Sequence, residues 1–276
     1  MDLVIQGIEV ETPDLKALAK LAGASAIEAT TPNAFRLRNA APHPAIASHC
    51  EKAQLDYAFV PAERKLAGIK LCVMDMDSTL ITIECIDEIA DMQGLKPQIA
   101  AITAAAMRGE LDYPQSLRQR VALLAGLDAS ALQRVYDERL RLSPGADVML
   151  AGFRQFGIKT MLVSGGFTFF TERMRERLGL DYTRSNVLDI ANEKLTGEVT
   201  GEIVDADVKR AALLKVRDEL GLHKEQILAL GDGANDLKFM AEAGVSIAYH
   251  AKPVVRTQAT HALNYVGLDG VLNLFA

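Results

Sequence analysis

Short apolar runs alternate along this chain with longer stretches in which apolar residues recur every three or four positions, and the two periods predict strands and helices respectively. Residues 1 to about 61 begin with a strand-like run from Leu3 to Val10 and a helix from about Pro13 to Ala22. Strand-like segments near Ala26–Ala29 and Phe35–Arg38, a helix over Pro44–Gln54 and a run at Leu55–Val60 complete a βαββαβ order, which predicts a small ferredoxin-like unit. The charge-rich Pro61-Ala62-Glu63-Arg64-Lys65 breaks the patterning and reads as a linker, with a boundary near residue 65. From Gly68 on, strands at Leu71–Met74, Lys159–Val163, Ile227–Leu230 and Val245–Ala248 alternate with helices near 146–156, 167–179, 207–220 and 234–243. That is the βαβ pattern of an α/β doubly wound parallel sheet. Residues 82–144 interrupt it with helices alone, at Glu84–Met92, Lys96–Arg108, Ser116–Leu124 and Ala129–Leu140. A helical cap inserted directly after the first core strand is expected to act as a lid. A hairpin is expected at Val187–Ile190 and Leu195–Val199, joined through Asn192-Glu193-Lys194. The expected domains are therefore residues 1–65, a Rossmann-like core of 66–81 with 145–276, and the cap at 82–144.

Acidic residues stand where two of these strands end. Asp75-Met76-Asp77-Ser78-Thr79 follows Leu71–Met74, and Gly231-Asp232-Gly233-Ala234-Asn235-Asp236 follows Ile227–Leu230. In open α/β sheets ligands bind beyond the carboxyl ends of strands. Acids gathered there would repel by roughly 4 kcal/mol per close pair, so a cation is expected to hold them. With only oxygen donors and no adjacent cysteine or histidine, the expected ion is hard, and Mg²⁺ shared with a phosphate fits best. An EF-hand starting at Asp75 fails, because Leu80 falls at its turn glycine and Ile86 at its bidentate glutamate. No Gly-Lys-Ser/Thr string exists for a P-loop.

Asp75 is the expected nucleophile, since a carboxylate is ionised near neutral pH and gives an acyl phosphate that water can cleave. Asp77, two residues on in an extended segment, faces the same side and is the expected general acid. The dipeptide alone also reads as a solvated turn. Ser164-Gly165-Gly166 follows an apolar strand and opens a helix, so its hydroxyl and N–H groups are candidates to receive phosphoryl oxygens, although glycine pairs there also make ordinary tight turns. Lys209, near the start of the helix after Asp205-Ala206-Asp207, is a candidate to stabilise the transition state, or else one more surface lysine. Asp232 is expected to bind the metal, with Asp236 supporting it and Asn235 contributing its amide.

The composition narrows the partners. At 276 residues, 49% apolar and 24% charged, the chain can bury a sizeable core. Net charge is −6 with Lys and Arg scattered, so nucleic acid and membrane surfaces are not expected partners, and a small molecule is. Met1–Ile5 lacks a signal-peptide pattern and no run of about 18 apolar residues occurs, so a cytoplasmic location is expected. Cys50, Cys72 and Cys85 lack C-x-x-C spacing and predict no disulfide framework. The five histidines have no metal spacing and read as surface or packing residues.

Taken in order, Asp75–Thr79, Ser164-Gly165-Gly166 with Lys209, and Gly231–Asp236 resemble the motifs of the haloacid dehalogenase superfamily of phosphatases. Around them, Ile83–Glu88, Met107–Asp112, Ser116–Val121 and Ser164–Phe167 are similar to the phosphoserine phosphatases of that superfamily. The resemblance spans about residues 70–250. It implies hydrolysis of O-phospho-L-serine to L-serine and phosphate through a phosphoaspartyl intermediate, the last step of serine biosynthesis. It also implies that Glu84 holds the substrate ammonium, Arg118 its carboxylate, and Met107 lines the pocket. Asp75, Asp77 (through its backbone carbonyl) and Asp232 would bind Mg²⁺. Some members carry amino-acid-binding βαββαβ (ACT-like) domains, which residues 1–61 resemble in element order. The Gly7–Pro13 turn lacks a glycine-rich effector loop, so packing or a homodimer through this unit is as fitting an expectation as effector binding. Two rivals stay open: action on another phosphorylated amine or amino acid, and a receiver-like phosphoaspartate switch.

Overall fold

The computed structural model describes residues 1–275. In chain order the elements are β1 (Asp2–Gln6), α1 (Thr12–Ala22), β2 (Ala26–Thr31), β3 (Ala34–Arg38), α2 (Ala45–Lys52), β4 (Asp56–Val60) and β5 (Leu71–Met74). Then come α3 (Cys85–Asp91), α4 (Lys96–Met107), α5 (Tyr113–Ala122), α6 (Ser130–Arg134) and α7 (Ala146–Gln155). The chain continues with β6 (Lys159–Phe167), α8 (Thr168–Leu178), β7 (Tyr182–Ala191), β8 (Lys194–Thr200) and α9 (Ala206–Glu219). It ends with β9 (Ile227–Gly231), α10 (Leu237–Met240), β10 (Val245–Tyr249), α11 (Pro253–Gln258) and β11 (His261–Leu263). Contacts divide the chain into two compact units. One holds Met1–Cys72, Pro144–Lys159 and Leu222 onward, and the other Val73–Ser143 and Thr160–Gly221.

In the first unit β1 to β4 form an antiparallel sheet in the order β2-β3-β1-β4, with Leu3 opposite both Leu37 and Phe59. This is the strand order that two βαβ units produce when they interlock, as the ferredoxin-like pattern requires. Leu3, Ile5, Leu15, Leu18, Leu37, Ile46 and Leu55 form its core. Helix α1 starts with Pro13 in its first turn and stops at Gly23, whose φ of 61° is the left-handed cap that glycine accepts without strain. In the same unit β9, β10 and β11 pair in parallel.

Polar side chains join these two parts of the first unit. The Asp56 carboxylate accepts the backbone N–H groups of Asn264, Tyr265 and Val266 at 2.7, 2.9 and 3.1 Å. Gln6 donates to the Gly270 carbonyl at 3.2 Å and accepts from Asn273 at 2.7 Å. Arg36, 1% exposed, donates to the Asn273 carbonyl at 3.2 Å.

In the second unit β6 pairs in parallel with β7, and β7 runs antiparallel to β8 through a turn in which Asn192 and Glu193 have φ of 51° and 61°. Two positive φ values match the twist of a tight hairpin. Helices α3 to α6 fill the interval between β5 and α7, as the helix-only patterning predicts. The α/β class and the largely parallel core strands agree with the sequence pattern. The segment expected as one helix over Ala129–Leu140 breaks into α6 and a wider turn at Val135–Arg139. The first strand ends at Gln6 rather than Val10, and α11 and β11 carry too few residues for their periodicity to have been visible.

Candidate active site

The second unit gathers most of the predicted residues. Strand β5 is buried at all four positions and delivers Asp75 at its end, where the side chain accepts the Met76 N–H at 2.7 Å. The chain then turns sharply: the Ile81 N–H reaches the Met76 carbonyl at 3.0 Å, and Ser78 takes a φ of 54°, unusual for a residue with a Cβ. Asp75 is 5% exposed, and Lys209 Nζ, 1% exposed, stands 3.0 Å from its Oδ2. A buried lysine beside a buried carboxylate supplies the charge compensation that each needs. Lys209 sits in the first turn of α9, which Asp205 caps by accepting the N–H groups of Asp207 and Val208 at 2.9 Å each.

Asp77 is also enclosed. Its Oδ1 is buried with no hydrogen-bond partner among the described residues. Burial and the nearby Glu84 charge push its carboxyl up to about 8, against hydrogen bonds from Cys85 that pull it down. Surroundings that favour the protonated form suit a general acid. Glu84 lies at the start of α3, where its Oε1 accepts the Ser78 hydroxyl at 2.6 Å.

Ser164, Gly165 and Gly166 were expected to follow the strand and open a helix; they lie instead within β6, which runs on to Phe167 before α8 begins at Thr168. Neither glycine has a positive φ, so lack of space explains them. A Cβ at Gly165 would lie 2.2 Å from the Tyr113 hydroxyl, and one at Gly166 would lie 3.0 Å from Asp77 Oδ2. The Ser164 Oγ accepts the Gly166 N–H at 2.8 Å.

In the first unit, β9 delivers Asp232. Asp236, fully buried, accepts the N–H groups of Asp232 and Gly233 at 3.2 and 3.1 Å, so it shapes the loop that presents Asp232. A Cβ at Gly231 would lie 2.6 Å from that Asp236 side chain, and one at Gly233 2.2 Å from Asn235 Oδ1. The Lys252 N–H donates to the Asp232 carbonyl at 3.1 Å.

Two predicted residues are exposed. Met107, at the end of α4, is 74% exposed. Arg118 on α5 is exposed as well, whereas Arg120 is half-buried, and its charge acts on Tyr113 and Asp87. Sequence reasoning missed Tyr113 and Asn186, both of which donate to the Gly165 carbonyl, at 3.2 and 2.8 Å. An asparagine inside a strand-forming run was the available signal for the second.

The chain matches the family model described as haloacid dehalogenase-like hydrolase over residues 69–244, and a domain of unknown function (DUF4072) over residues 3–46. A phosphoserine phosphatase of Polaromonas sp. is 55% identical over 215 residues, covering 76% of this chain and 91% of its own length. The unliganded crystal structure of a probable phosphoserine phosphatase from Vibrio cholerae superposes with a TM-score of 0.87 at 36% identity, covering 99% of this chain and 86% of that one. A phospho-aspartyl intermediate analogue of phosphoserine phosphatase, also 36% identical, covers 75% of this chain and 99% of its own at a TM-score of 0.70.

Proposed function

The chain belongs to the haloacid dehalogenase-like hydrolase family, and from that membership we propose that it is a phosphatase that hydrolyses O-phospho-L-serine to L-serine and phosphate, the last step of serine biosynthesis. The 3.0 Å pairing of buried Lys209 with Asp75 carries the reading, because it gives a carboxylate nucleophile a cation able to accompany an incoming phosphoryl group. An Asp75 oxygen forms a bond to phosphorus while the bond from phosphorus to the serine oxygen breaks, leaving phospho-Asp75. Asp77 gives its proton to that oxygen. It then takes a proton from the water that cleaves the acyl phosphate, and phosphate and free Asp75 result. The Ser164 to Gly166 loop offers a hydroxyl and N–H groups to the phosphoryl oxygens, and Asn235 an amide.

Asp75, Asp77 through its backbone carbonyl, and Asp232 are the proposed Mg²⁺ ligands, with Asp236 in support. The donor set fits a hard cation, since it holds oxygen alone. When bound, the ion would offset charge on the phosphoryl oxygens. For the amino-acid end, Glu84 is proposed for the ammonium and Met107 for the pocket wall. Arg118 was the expectation for the carboxylate; its exposure favours Arg120 on the same helix. The division into 1–65, 66–81 with 145–276, and 82–144 stands as a proposal about folding units. A homodimer through the N-terminal unit is supported by β2, an edge strand exposed at all six positions. No described helix is long and apolar enough to cross a membrane. The free, buried Cys50, Cys72 and Cys85 favour a reducing compartment, here taken to be the cytoplasm.

Phosphate release from a panel of phosphorylated metabolites, with and without Mg²⁺, tests the function. Phosphoserine should be the best substrate, only with Mg²⁺, and Asp75→Asn should abolish turnover. Equal efficiency on phosphoethanolamine would remove the case for a carboxylate-reading arginine, and a long-lived phosphoprotein without turnover would favour a switch.

A further inference from the structure

Two donors converge on one carbonyl of the Ser164-Gly165-Gly166 loop. The Gly165 oxygen accepts from Asn186 Nδ2 at 2.8 Å and from the Tyr113 hydroxyl at 3.2 Å, so both of its lone pairs are engaged. At the other edge of the same peptide group, the Gly166 N–H donates to Ser164 Oγ at 2.8 Å. This peptide plane is therefore fixed on both sides. Because the Ser164 oxygen accepts there, its own O–H stays available to donate.

Asn186 reaches further. It is 1% exposed, and its Oδ1 accepts the Val204 N–H at 2.8 Å. Val204 directly precedes Asp205, the cap of the helix that carries Lys209. The two contacts also fix which end of the amide is which, since the nitrogen faces a carbonyl and the oxygen faces an N–H. One side chain thus links the glycine loop to the entry of α9.

We infer that Asn186 is a positioning residue that holds the Ser164–Gly166 loop and the start of α9 in register, so that the loop donors and Lys209 meet one phosphoryl group together. Tyr113 secures the same carbonyl from α5. The inference rests on the phosphatase reading above. Its physical basis is preorganisation: a loop peptide free to turn would take the Gly166 N–H away from Ser164 Oγ and leave the hydroxyl unaimed at the anion, and restoring that geometry on binding would weaken affinity.

The test is calorimetric titration of the Mg²⁺-loaded full chain with inorganic phosphate. Asn186→Asp keeps an acceptor for Val204 and loses the donor to Gly165, Asn186→Leu loses both, and Tyr113→Phe loses only the hydroxyl. The dissociation constant for phosphate should rise about tenfold in Asn186→Asp, at full stoichiometry, and less in Tyr113→Phe. The ratio of kcat/KM for phosphoserine to that for phosphoethanolamine should stay at its wild-type value, because the amino-acid end is untouched. Wild-type phosphate affinity in Asn186→Asp, or a loss of stoichiometry without loss of affinity, would overturn the inference. Should Asn186→Leu fail to fold, the other two variants decide. Absence of phosphoserine hydrolysis by the wild type would instead overturn the reading beneath it.

Discussion

Lys209 shows how much one residue's surroundings decide. In the sequence it is one of 30 basic residues, and only its position after Asp205-Ala206-Asp207 sets it apart. In the structure it is buried against Asp75, where an ammonium acts in a medium of low dielectric constant. Lys209→Ala should therefore lower kcat by about two to three orders of magnitude, measured at saturating phosphoserine, with Lys209→Arg recovering only part of it. Gly165→Ala should be nearly as damaging, because its methyl would stand 2.2 Å from the Tyr113 hydroxyl. Asp75 and Asp232 stood out as candidates because each follows an apolar run, and Asp77 because it lies two residues beyond Asp75. Arg118 was the one arginine expected there, and the half-buried state of Arg120 was not visible in the sequence. Successive helical residues are about 100° apart, so two positions separated by two face different ways, and the sequence does not say which face of α5 turns inward.

Most elements could be read from periodicity, and the exceptions share a physical cause: short segments carry too few repeats to reveal a period. Hence β11, with three residues, was not foreseen, yet it carries a pH-sensitive contact. Arg64 Nη1 stands 2.9 Å from His261 Nε2. A guanidinium can only donate, so the imidazole nitrogen accepts and the ring is neutral. Burial and the Arg64 charge bring His261 down to about 4. The unfolded chain takes up this proton near pH 6.5 and the folded one near 4, so this contribution to stability is complete above 6.5 and is lost as pH falls through that window. Denaturant midpoints between pH 7 and 4 should fall less steeply in His261→Gln, which keeps an acceptor for Arg64. Asp56 on β4 offers a second element-scale test. Asp56→Ala leaves three backbone N–H groups without their acceptor and should cost about 2–3 kcal/mol in urea unfolding.

At the scale of the whole molecule, the sequence suggested a first unit ending near residue 65, while contacts group Met1–Cys72 with Pro144–Lys159 and the chain from Leu222. Patterning finds elements but does not reveal which buried polar groups will pair over long separations, and Gln6 with Gly270 or Asp56 with Tyr265 are such pairs. Deleting residues 1–65 should therefore destabilise what remains, read as a lower urea midpoint, because partners of the 264–273 segment would be lost. The central claim is covalent capture of a phosphoryl group by Asp75. Acid quenching during turnover of phosphoserine, followed by borohydride trapping and peptide mass spectrometry, tests it most directly. Reduction confined to Asp75 is the predicted result; label on another residue, or none while phosphate is being released, would contradict it.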